Sequence, residues 1–243
     1  MQIPIDQGGY LEGDLEVPQG ALGIVVFAHG SGSSRHSPRN QFVAEALQSA
    51  GLATLLFDLL TPAEESVDRR TAGYRFDIEL LTKRLIGATA WTLRNPVTRN
   101  LRLGYFGAST GAAAALAAAA ELRETVRAVV SRGGRPDLAG PDLGFVRAPT
   151  LLIVGGSDDV VLELNREALA KLFSCKKELA VIPGATHLFE EPGALEKVAK
   201  TAAAWFSRYL SPVEADEDKR PQPDVSPEDM GTRLFGERGQ VPR

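Results

Sequence analysis

A serine lies between two glycines in the sequence GASTG at residues 107–111. An apolar run at 103–106 precedes it, and an alanine-rich run of helical composition at 112–122 follows it. Gly-x-Ser-x-Gly between a strand and a helix is typical of a nucleophile elbow, in which small residues relieve collisions across a strained turn. The pattern predicts that Ser109 is a nucleophile for acyl transfer. The alternative is a chance match in a chain that contains 24 glycines.

A serine nucleophile needs a general base, and the chain offers His29, His36 and His187. Proteins with this elbow carry the acid and then the base after the nucleophile, and only His187 follows Ser109. His187 lies in the loop at 183–189, just after the last predicted strand, where open α/β sheets build their sites. We therefore expect His187 to be the base and His29 to orient or pack beside the site.

The third member of such a set is an acid that holds the imidazole in the correct tautomer. Asp158 and Asp159 follow the small residues at 155–157, directly after a predicted strand. We expect Asp158 to be this acid, because the acid commonly follows a glycine-rich turn, and we expect Asp159 to cap the next helix. Asp159 remains the alternative acid.

Acyl transfer also needs donors for the oxyanion, and two backbone N–H groups are expected to supply them. One follows the nucleophile, at Thr110, and the other comes from the loop after the third strand, at Ser31. The loop at 29–34 is rich in glycine and serine, so its backbone can approach a reacting carbonyl closely. A phosphate-binding loop is excluded because no lysine occurs between Gly30 and Asn40.

Four arginines follow the ends of predicted strands. Arg132 and Arg135 follow one strand, while Arg35 and Arg39 follow the glycine-rich loop. Guanidinium groups bind carboxylates and phosphates in a bidentate manner, so these residues suggest a substrate that carries an anionic group. Arg132 is the best single candidate. The alternative is a set of surface arginines held in ion pairs.

The elements that must position these residues alternate between short apolar runs and longer stretches of helical period. This alternation predicts an α/β fold with a mostly parallel eight-stranded sheet flanked by helices. Six continuous apolar runs are expected to form buried strands, at 24–28, 53–57, 103–106, 126–130, 151–154 and 179–182. An N-terminal hairpin over 2–17 is expected at the sheet edge. In the first helix, Phe42, Ala46, Leu47 and Ala50 are expected to share the apolar face.

Composition predicts one globular domain at 1–211 and a disordered or extended tail at 212–243. The tail lacks the apolar surface that offsets the entropy of ordering. A net charge of -4 gives no electrostatic footprint for nucleic acid or for an anionic membrane. Neither a signal peptide nor an apolar run long enough to span a bilayer is visible, so a cytoplasmic location is expected. The single cysteine, Cys175, is expected to be structural.

With these residues in place, the chain resembles the dienelactone hydrolase family over about residues 10–211. Four segments carry the resemblance, at 27–32, 107–111, 155–158 and 185–187. The resemblance implies an α/β-hydrolase fold without a large lid domain and without a metal or organic cofactor. The namesake enzymes use a cysteine nucleophile and a glutamate in the loop after the third strand, whereas this chain has Ser109 and no acid in that loop. Dienelactone is therefore not the expected substrate.

The sequence thus predicts a serine hydrolase that cleaves a small ester or lactone through an acyl-enzyme intermediate, and the arginines suggest an anionic substrate. One alternative is an acyltransferase or perhydrolase that transfers the acyl group to an acceptor other than water. Another is a non-catalytic accessory module on the same fold, since fold does not fix function. The oligomeric state is left open by the sequence.

Overall fold

The computed structural model describes residues 1–5 and 8–212. Within these ranges the chain forms eight strands: β1 Gln2–Pro4, β2 Tyr10–Glu16, β3 Gly23–Ala28, β4 Ala53–Phe57, β5 Arg102–Ala108, β6 Val126–Arg132, β7 Thr150–Gly155 and β8 Lys177–Ile182. The same ranges contain six α-helices: α1 Pro38–Ser49, α2 Pro62–Thr71, α3 Ile78–Arg94, α4 Thr110–Leu122, α5 Asp159–Lys171 and α6 Ala194–Leu210. Asp6, Gln7 and all of the predicted tail except Pro212 lie outside the described residues.

The strands form one sheet in the order β1-β2-β4-β3-β5-β6-β7-β8. Neighbours from β4 through β8 are parallel, whereas β1 pairs antiparallel with β2, and β2 pairs antiparallel with β4. The prediction of a mostly parallel eight-stranded sheet is therefore confirmed, with the hairpin at its edge. Every residue of β3, β4 and β7 is buried, as expected for parallel strands covered on both faces.

Two apolar layers lie on opposite faces of the sheet, because successive side chains of a strand point in opposite directions. On β3, Ile24 and Val26 belong to the layer under α3 and α4. Val25 and Phe27 belong to the layer under α1 and α6. The sheet is therefore held from both sides, and the carboxyl ends of its parallel strands have fixed positions at one edge.

Helix α4 is composed mostly of alanine, and its residues 110–120 are all buried. Small side chains let this helix pack closely against β5 and α3 and against two short 3-10 segments at Pro136–Phe145. The helix begins at Thr110, so this packing places its N-terminal end directly after Ser109.

The connections between strands are modest in size. Between β6 and β7 the chain forms the 3-10 segments of Pro136–Phe145, and between β4 and α3 it forms α2. Within the described residues the absence of a large lid domain, as expected, is confirmed. In the same ranges no helix is both long enough and apolar enough to cross a membrane.

The close packing of α6 on β5 predicts opposite effects for two glycine substitutions. A Cβ atom at Gly104 would lie 2.8 Å from Phe206 Cε1 and 3.0 Å from the Ala128 carbonyl oxygen. We expect Gly104→Ala to lower the free energy of unfolding by about 1–3 kcal/mol. Gly87 in α3 has no atom within 4 Å of such a Cβ, so Gly87→Ala should raise that free energy by roughly 0.5–1 kcal/mol. Urea unfolding measures both, and a Gly104→Ala protein as stable as the wild type would contradict this packing.

Candidate active site

Ser109 occupies a backbone conformation that side chains other than glycine rarely adopt, with φ 50° and ψ -119°. It joins the end of β5 to the start of α4 and is half-buried. Its N–H donates to the Arg132 carbonyl at 3.2 Å, and its own carbonyl accepts from Arg135 N–H at 3.1 Å. Such a conformation costs on the order of 1–3 kcal/mol and persists only where the surroundings impose it.

The glycines on either side of Ser109 are sterically required. A Cβ atom at Gly107 would overlap the backbone of Ala112 on the first turn of α4. A Cβ atom at Gly111 would overlap the carbonyl oxygens of Ala28 and His29 on the neighbouring loop. The sequence-based prediction of an elbow therefore has a structural cause, since strand, helix and neighbouring loop approach with no space for a side chain.

Asp158 and His187 meet at the carboxyl ends of β7 and β8. Asp158 Oδ2 and His187 Nδ1 are 2.7 Å apart, and the two side chains are 15% and 38% exposed. A proton on Nδ1 donated to the carboxylate leaves Nε2 free to accept a proton. The two loops are pressed together, because Ser157 N–H donates to the Ala185 carbonyl at 2.9 Å and a Cβ at Gly155 would overlap that carbonyl.

One detail of the acid loop differs from expectation. We expected Asp159 to cap α5, but Asp158 occupies the N-cap position and Asp159 is the first helical residue. The carboxylate of Asp158 makes no capping hydrogen bond because it is turned toward His187. The residue chosen as the acid is thus the one that contacts the histidine.

His187 lies beside the chain segment that holds Ser109. A Cβ atom at Gly133 would lie 3.5 Å from His187 Cε1, and Gly133 directly follows Arg132, which accepts the Ser109 N–H. Within the described residues no hydrogen bond joins Ser109 Oγ to His187. Catalytic hydrogen bonds are often long without substrate and tighten in the complex. The structure therefore brings Asp158 and His187 into contact and places Ser109 on the adjoining segment.

The two expected oxyanion donors also lie at the elbow. Thr110 is the first residue of α4, so its N–H has no acceptor within the helix. The neighbouring loop is close, because a Cβ atom at Gly30 would lie 3.1 Å from Ser109 Cβ. In the part of the chain that the structure describes, no carbonyl accepts from Ser31 N–H. Both groups are thus available to a negatively charged oxygen, and the helix N-terminus favours such a charge.

His29 braces the loop that carries Ser31. Its Nδ1 lies 2.9 Å from the Gly30 carbonyl oxygen, and its Nε2 lies 3.0 Å from Leu59 N. Because an amide can only donate, Nε2 accepts from Leu59 N–H and Nδ1–H donates to Gly30. The Gly30 carbonyl and the Ser31 N–H belong to one peptide plane, so this bond orients the expected oxyanion donor. Burial lowers the pKa of His29 below its usual value, which favours the neutral ring.

The predicted arginines differ in their partners. Arg35 binds Asp58 through its guanidinium and lies 3.3 Å from Asp14, and Arg135 binds Asp137 at 2.8 and 2.9 Å. Their side chains are engaged within the protein, as in the alternative of ion-paired arginines. Arg132 is buried and has no carboxylate partner among the described residues. Arg39 lies 3.5 Å from the exposed Glu190 and close to Arg132. Arg132, with Arg39 beside it, therefore stays the candidate for binding an anionic substrate group.

Two further residues support the site and were not singled out from the sequence. Asn165 is fully buried on α5 and donates to the Gly134 carbonyl at 3.0 Å, which braces the loop after β6. The sequence pattern that could have identified Asn165 is a polar residue on the apolar face of a helix, four positions after Val161. Phe189 is buried at φ 57°, two residues after His187, and nothing in the sequence marks that conformation.

No metal centre is formed by the described residues, since no three of their His, Cys, Asp and Glu side chains cluster to hold an ion. Cys175 is a free, half-buried thiol whose pKa is raised by burial. Its sulfur lies 4.0 Å from Thr150 Oγ1, on the opposite end of β7 from Asp158. Cys175 therefore lies away from the edge of the sheet that carries Asp158 and His187.

Comparison with known proteins identifies relatives of this arrangement. Residues 10–213 match the sequence model of the dienelactone hydrolase family. The crystal structure of a dienelactone hydrolase from Anabaena variabilis is 60% identical, with a TM-score of 0.84, and the match covers 86% of this chain and 96% of that one. A lidless α/β serine hydrolase from Xanthomonas campestris is 20% identical, with a TM-score of 0.67 over 86% of this chain and 94% of its own, and shares the fold.

A longer relative is named for an activity other than hydrolysis. A Mycobacterium tuberculosis protein that is provisionally named a phosphoribosyl transferase is 65% identical over 198 residues. The match covers 82% of this chain and 44% of that protein, so the chain spans less than half of the relative's length.

The hydrogen bonds of His29 predict a stability that depends on pH. The folded protein holds His29 neutral, so below about pH 6.5 the unfolded chain takes up a proton that the folded chain does not. Wild-type stability should therefore fall as the pH is lowered through this range. His29→Phe should lose roughly 1–3 kcal/mol at neutral pH, because Leu59 N–H loses its acceptor, and should show a flatter dependence on pH.

Urea unfolding at several pH values between about 5 and 8 measures this effect. His36→Gln is the control, because His36 is exposed and should leave the dependence on pH unchanged. Parallel curves for the wild type and His29→Phe would show that His29 is not held neutral by the fold.

Proposed function

Because the chain belongs to the dienelactone hydrolase family, we propose that it hydrolyses a small carboxylic ester or lactone through an acyl-enzyme at Ser109. One observation carries the proposal. An aspartate and a histidine form a 2.7 Å hydrogen bond at the same sheet edge where Ser109 is held in a strained elbow. This combination supports a triad of Ser109, His187 and Asp158, because such a triad is recognised by geometry and by roles.

In the proposed reaction Ser109 Oγ attacks the carbonyl carbon while His187 Nε2 accepts the hydroxyl proton. Asp158 holds the imidazole by its Nδ1 proton and stabilises the imidazolium that forms. The tetrahedral intermediate collapses, and the departing alkoxide takes the proton from His187. Water then attacks the acyl-enzyme with His187 again as base, which releases the acid and restores Ser109.

Two backbone donors stabilise the negative charge in this proposal. Thr110 N–H lies at the N-terminus of α4, and Ser31 N–H lies in the loop that His29 braces. Donors that are fixed before the reaction need no reorganisation when charge develops, and one such donor typically contributes about 10²- to 10³-fold in turnover. In this proposal, the packing that imposes the elbow also holds the two N–H donors in place for the negatively charged oxygen.

The substrate class is inferred from the serine nucleophile and from the missing acid in the loop at 29–34. Ser109 replaces the cysteine expected of the namesake enzymes, and the loop at 29–34 contains no acid, so we propose an ester or a lactone other than dienelactone. The 60% identical structure supports hydrolase chemistry, since that protein is named a dienelactone hydrolase. Phosphoribosyl transfer is not proposed, because the match covers only 44% of that relative, includes the serine site, and contains no apolar run followed by paired acids and a Thr-Gly phosphate loop.

The nucleophile prediction is tested by ester hydrolysis. The wild type should release p-nitrophenol from p-nitrophenyl acetate, and Ser109→Ala should lower kcat by at least about 10⁴-fold. Ser49→Ala, at an exposed serine that ends α1, is the matched control and should retain full activity. No turnover by the wild type across a panel of esters and lactones would favour the accessory module. Transfer of the acyl group to a dilute thiol, alcohol or peroxide in preference to water would favour the transferase alternative.

The acid is tested by a pair of adjacent substitutions. Asp158→Asn should lower kcat by about 10³- to 10⁴-fold with little change in KM, because an amide favours the wrong imidazole tautomer. Asp159→Asn should change kcat by less than about threefold, since Asp159 is a first-turn residue of α5 without contact to His187. Steady-state kinetics measure both, and a larger loss for Asp159→Asn would transfer the acid role to that residue.

A further inference from the structure

Arg132 is the one arginine among the described residues that is buried, with 7% of its surface exposed. No ion pair of those residues includes it. Its Nε is enclosed and has no hydrogen-bond partner. A buried charge without a partner is costly, because the desolvation of the ion is not repaid by an opposite charge.

Four partly buried arginines among the described residues are neutralised by a close carboxylate. In each pair a guanidinium nitrogen lies within 3 Å of a carboxylate oxygen. The pairs are Arg35 with Asp58, Arg75 with Asp68, Arg84 with Glu64, and Arg135 with Asp137. Two more partly buried arginines are engaged differently, since Arg102 donates to the Ser211 carbonyl at 2.7 Å and Arg39 lies 3.5 Å from Glu190. Arg132 is more buried than any of these, and no described residue forms an ion pair with it.

The surroundings of Arg132 add positive charge. Burial and the nearby Arg39 lower the pKa of Arg132 to about 10, so the guanidinium still carries its charge at neutral pH. Arg39 itself has one carboxylate, Glu190, at 3.5 Å. The Arg132 guanidinium lies 5.9 Å from the centre of the Phe189 ring, a cation–π contact that supports a cation but does not neutralise it. Among the described residues, the exposed Glu190 beside Arg39 is thus the one carboxylate within ion-pair distance of either guanidinium.

Arg132 also adjoins the two chain segments that carry Ser109 and His187. Its carbonyl accepts the Ser109 N–H at 3.2 Å, and it is the last residue of β6, paired in register with Ala108. The next residue, Gly133, packs against His187, and Phe189 follows His187 by two positions. The guanidinium itself lies over Phe189, two residues after His187, while the backbone of Arg132 contacts Ser109, so an anion bound to it would lie close to both segments.

We propose that Arg132, assisted by Arg39, binds an anionic group of the substrate, a carboxylate or a phosphate, beside Ser109 and His187. This inference rests on the proposed function and narrows its substrate to esters or lactones that carry such a group. The planar fork of Arg132 can form two parallel hydrogen bonds to either anion. The unpaired charge lowers the stability of the anion-free protein and makes the site selective for anionic substrates, since the charge is neutralised only when the anion is bound.

A stability measurement tests the site without any turnover. Without an anion, Arg132→Met should raise Tm by about 2–4 °C, because a buried unpaired charge is replaced by an apolar side chain of similar length. Inorganic phosphate or glutarate should raise the Tm of the wild type by mass action and should not raise that of Arg132→Met. The two anions are tested in separate experiments, and the anion that gives the larger rise in Tm carries the preferred group. Arg132→Lys, which keeps the charge and loses the fork, should respond weakly and remains informative if the methionine variant fails to fold.

Kinetics with matched esters test the same site during turnover. One pair places the charge on the acyl side, methyl hydrogen glutarate against methyl valerate, and the other on the leaving side, 4-acetoxybenzoate against 4-acetoxybenzamide. The wild type should favour the charged ester of at least one pair, and Arg132→Met should reduce that preference by about 10- to 100-fold with neutral esters unaffected. Arg127→Met, at the exposed start of the same strand, is the charge-matched control and should behave as the wild type.

Either of two results would overturn the anion site. One is an equal rise in Tm with anion for the wild type, Arg132→Met and Arg127→Met, and the other is an unchanged preference for charged esters in Arg132→Met. Loss of all ester hydrolysis in the wild type would instead contradict the proposed function. The Tm measurement would still decide whether Arg132 binds an anion, so the two failures are distinguishable.

Discussion

Contact between backbones with no space for a side chain is the constraint on which this site depends. Gly111 meets the carbonyls that end β3, Gly107 meets the first turn of α4, and Gly155 meets the carbonyl of Ala185. The first two contacts hold Ser109 at a positive φ, and the third joins the loops of Asp158 and His187. A rigid sheet, buried on both faces, keeps all of these contacts in register. The chemistry is therefore a consequence of tight packing at one sheet edge.

Several positively polarised or charged groups lie at the same edge of the sheet. The N-terminus of α4, the N–H groups of Ser31 and Thr110, and the guanidinium of Arg132 all adjoin Ser109 or its neighbours. None of these N–H groups or this guanidinium has a hydrogen-bond partner among the described residues. Only Asp158 contributes a negative charge in contact with the proposed base, and it is committed to His187. An arrangement of this kind favours substrates and transition states that carry negative charge, which the acyl-transfer proposal requires.

Much of the site could be predicted because chain order and spacing encode it. The elbow sequence, the order of Ser109, Asp158 and His187, and the apolar runs of the parallel strands are local patterns. Features that depend on distant partners could not be predicted. Arg35 meets Asp58, 23 residues away, and that pairing removes it from the set of free arginines.

Helix surfaces were less predictable for the same reason. Phe42 was expected on the apolar face of α1, but it is exposed, because packing against α6 selects the face that carries Val43, Ala44 and Leu47. Helix α2 was not expected, since it is rich in charged residues and buries only Asp68, which Arg75 neutralises.

The central claim is that the folded elbow makes Ser109 a nucleophile, and peptide mapping of a fluorophosphonate adduct tests it most directly. The account predicts one adduct, on Ser109, in the folded protein, with none in urea and a strongly reduced yield in His187→Ala. Mass spectrometry of the digested protein locates the modified residue among the serines. An adduct on another residue, no adduct at all, or equal labelling of the folded and unfolded chain would contradict the account.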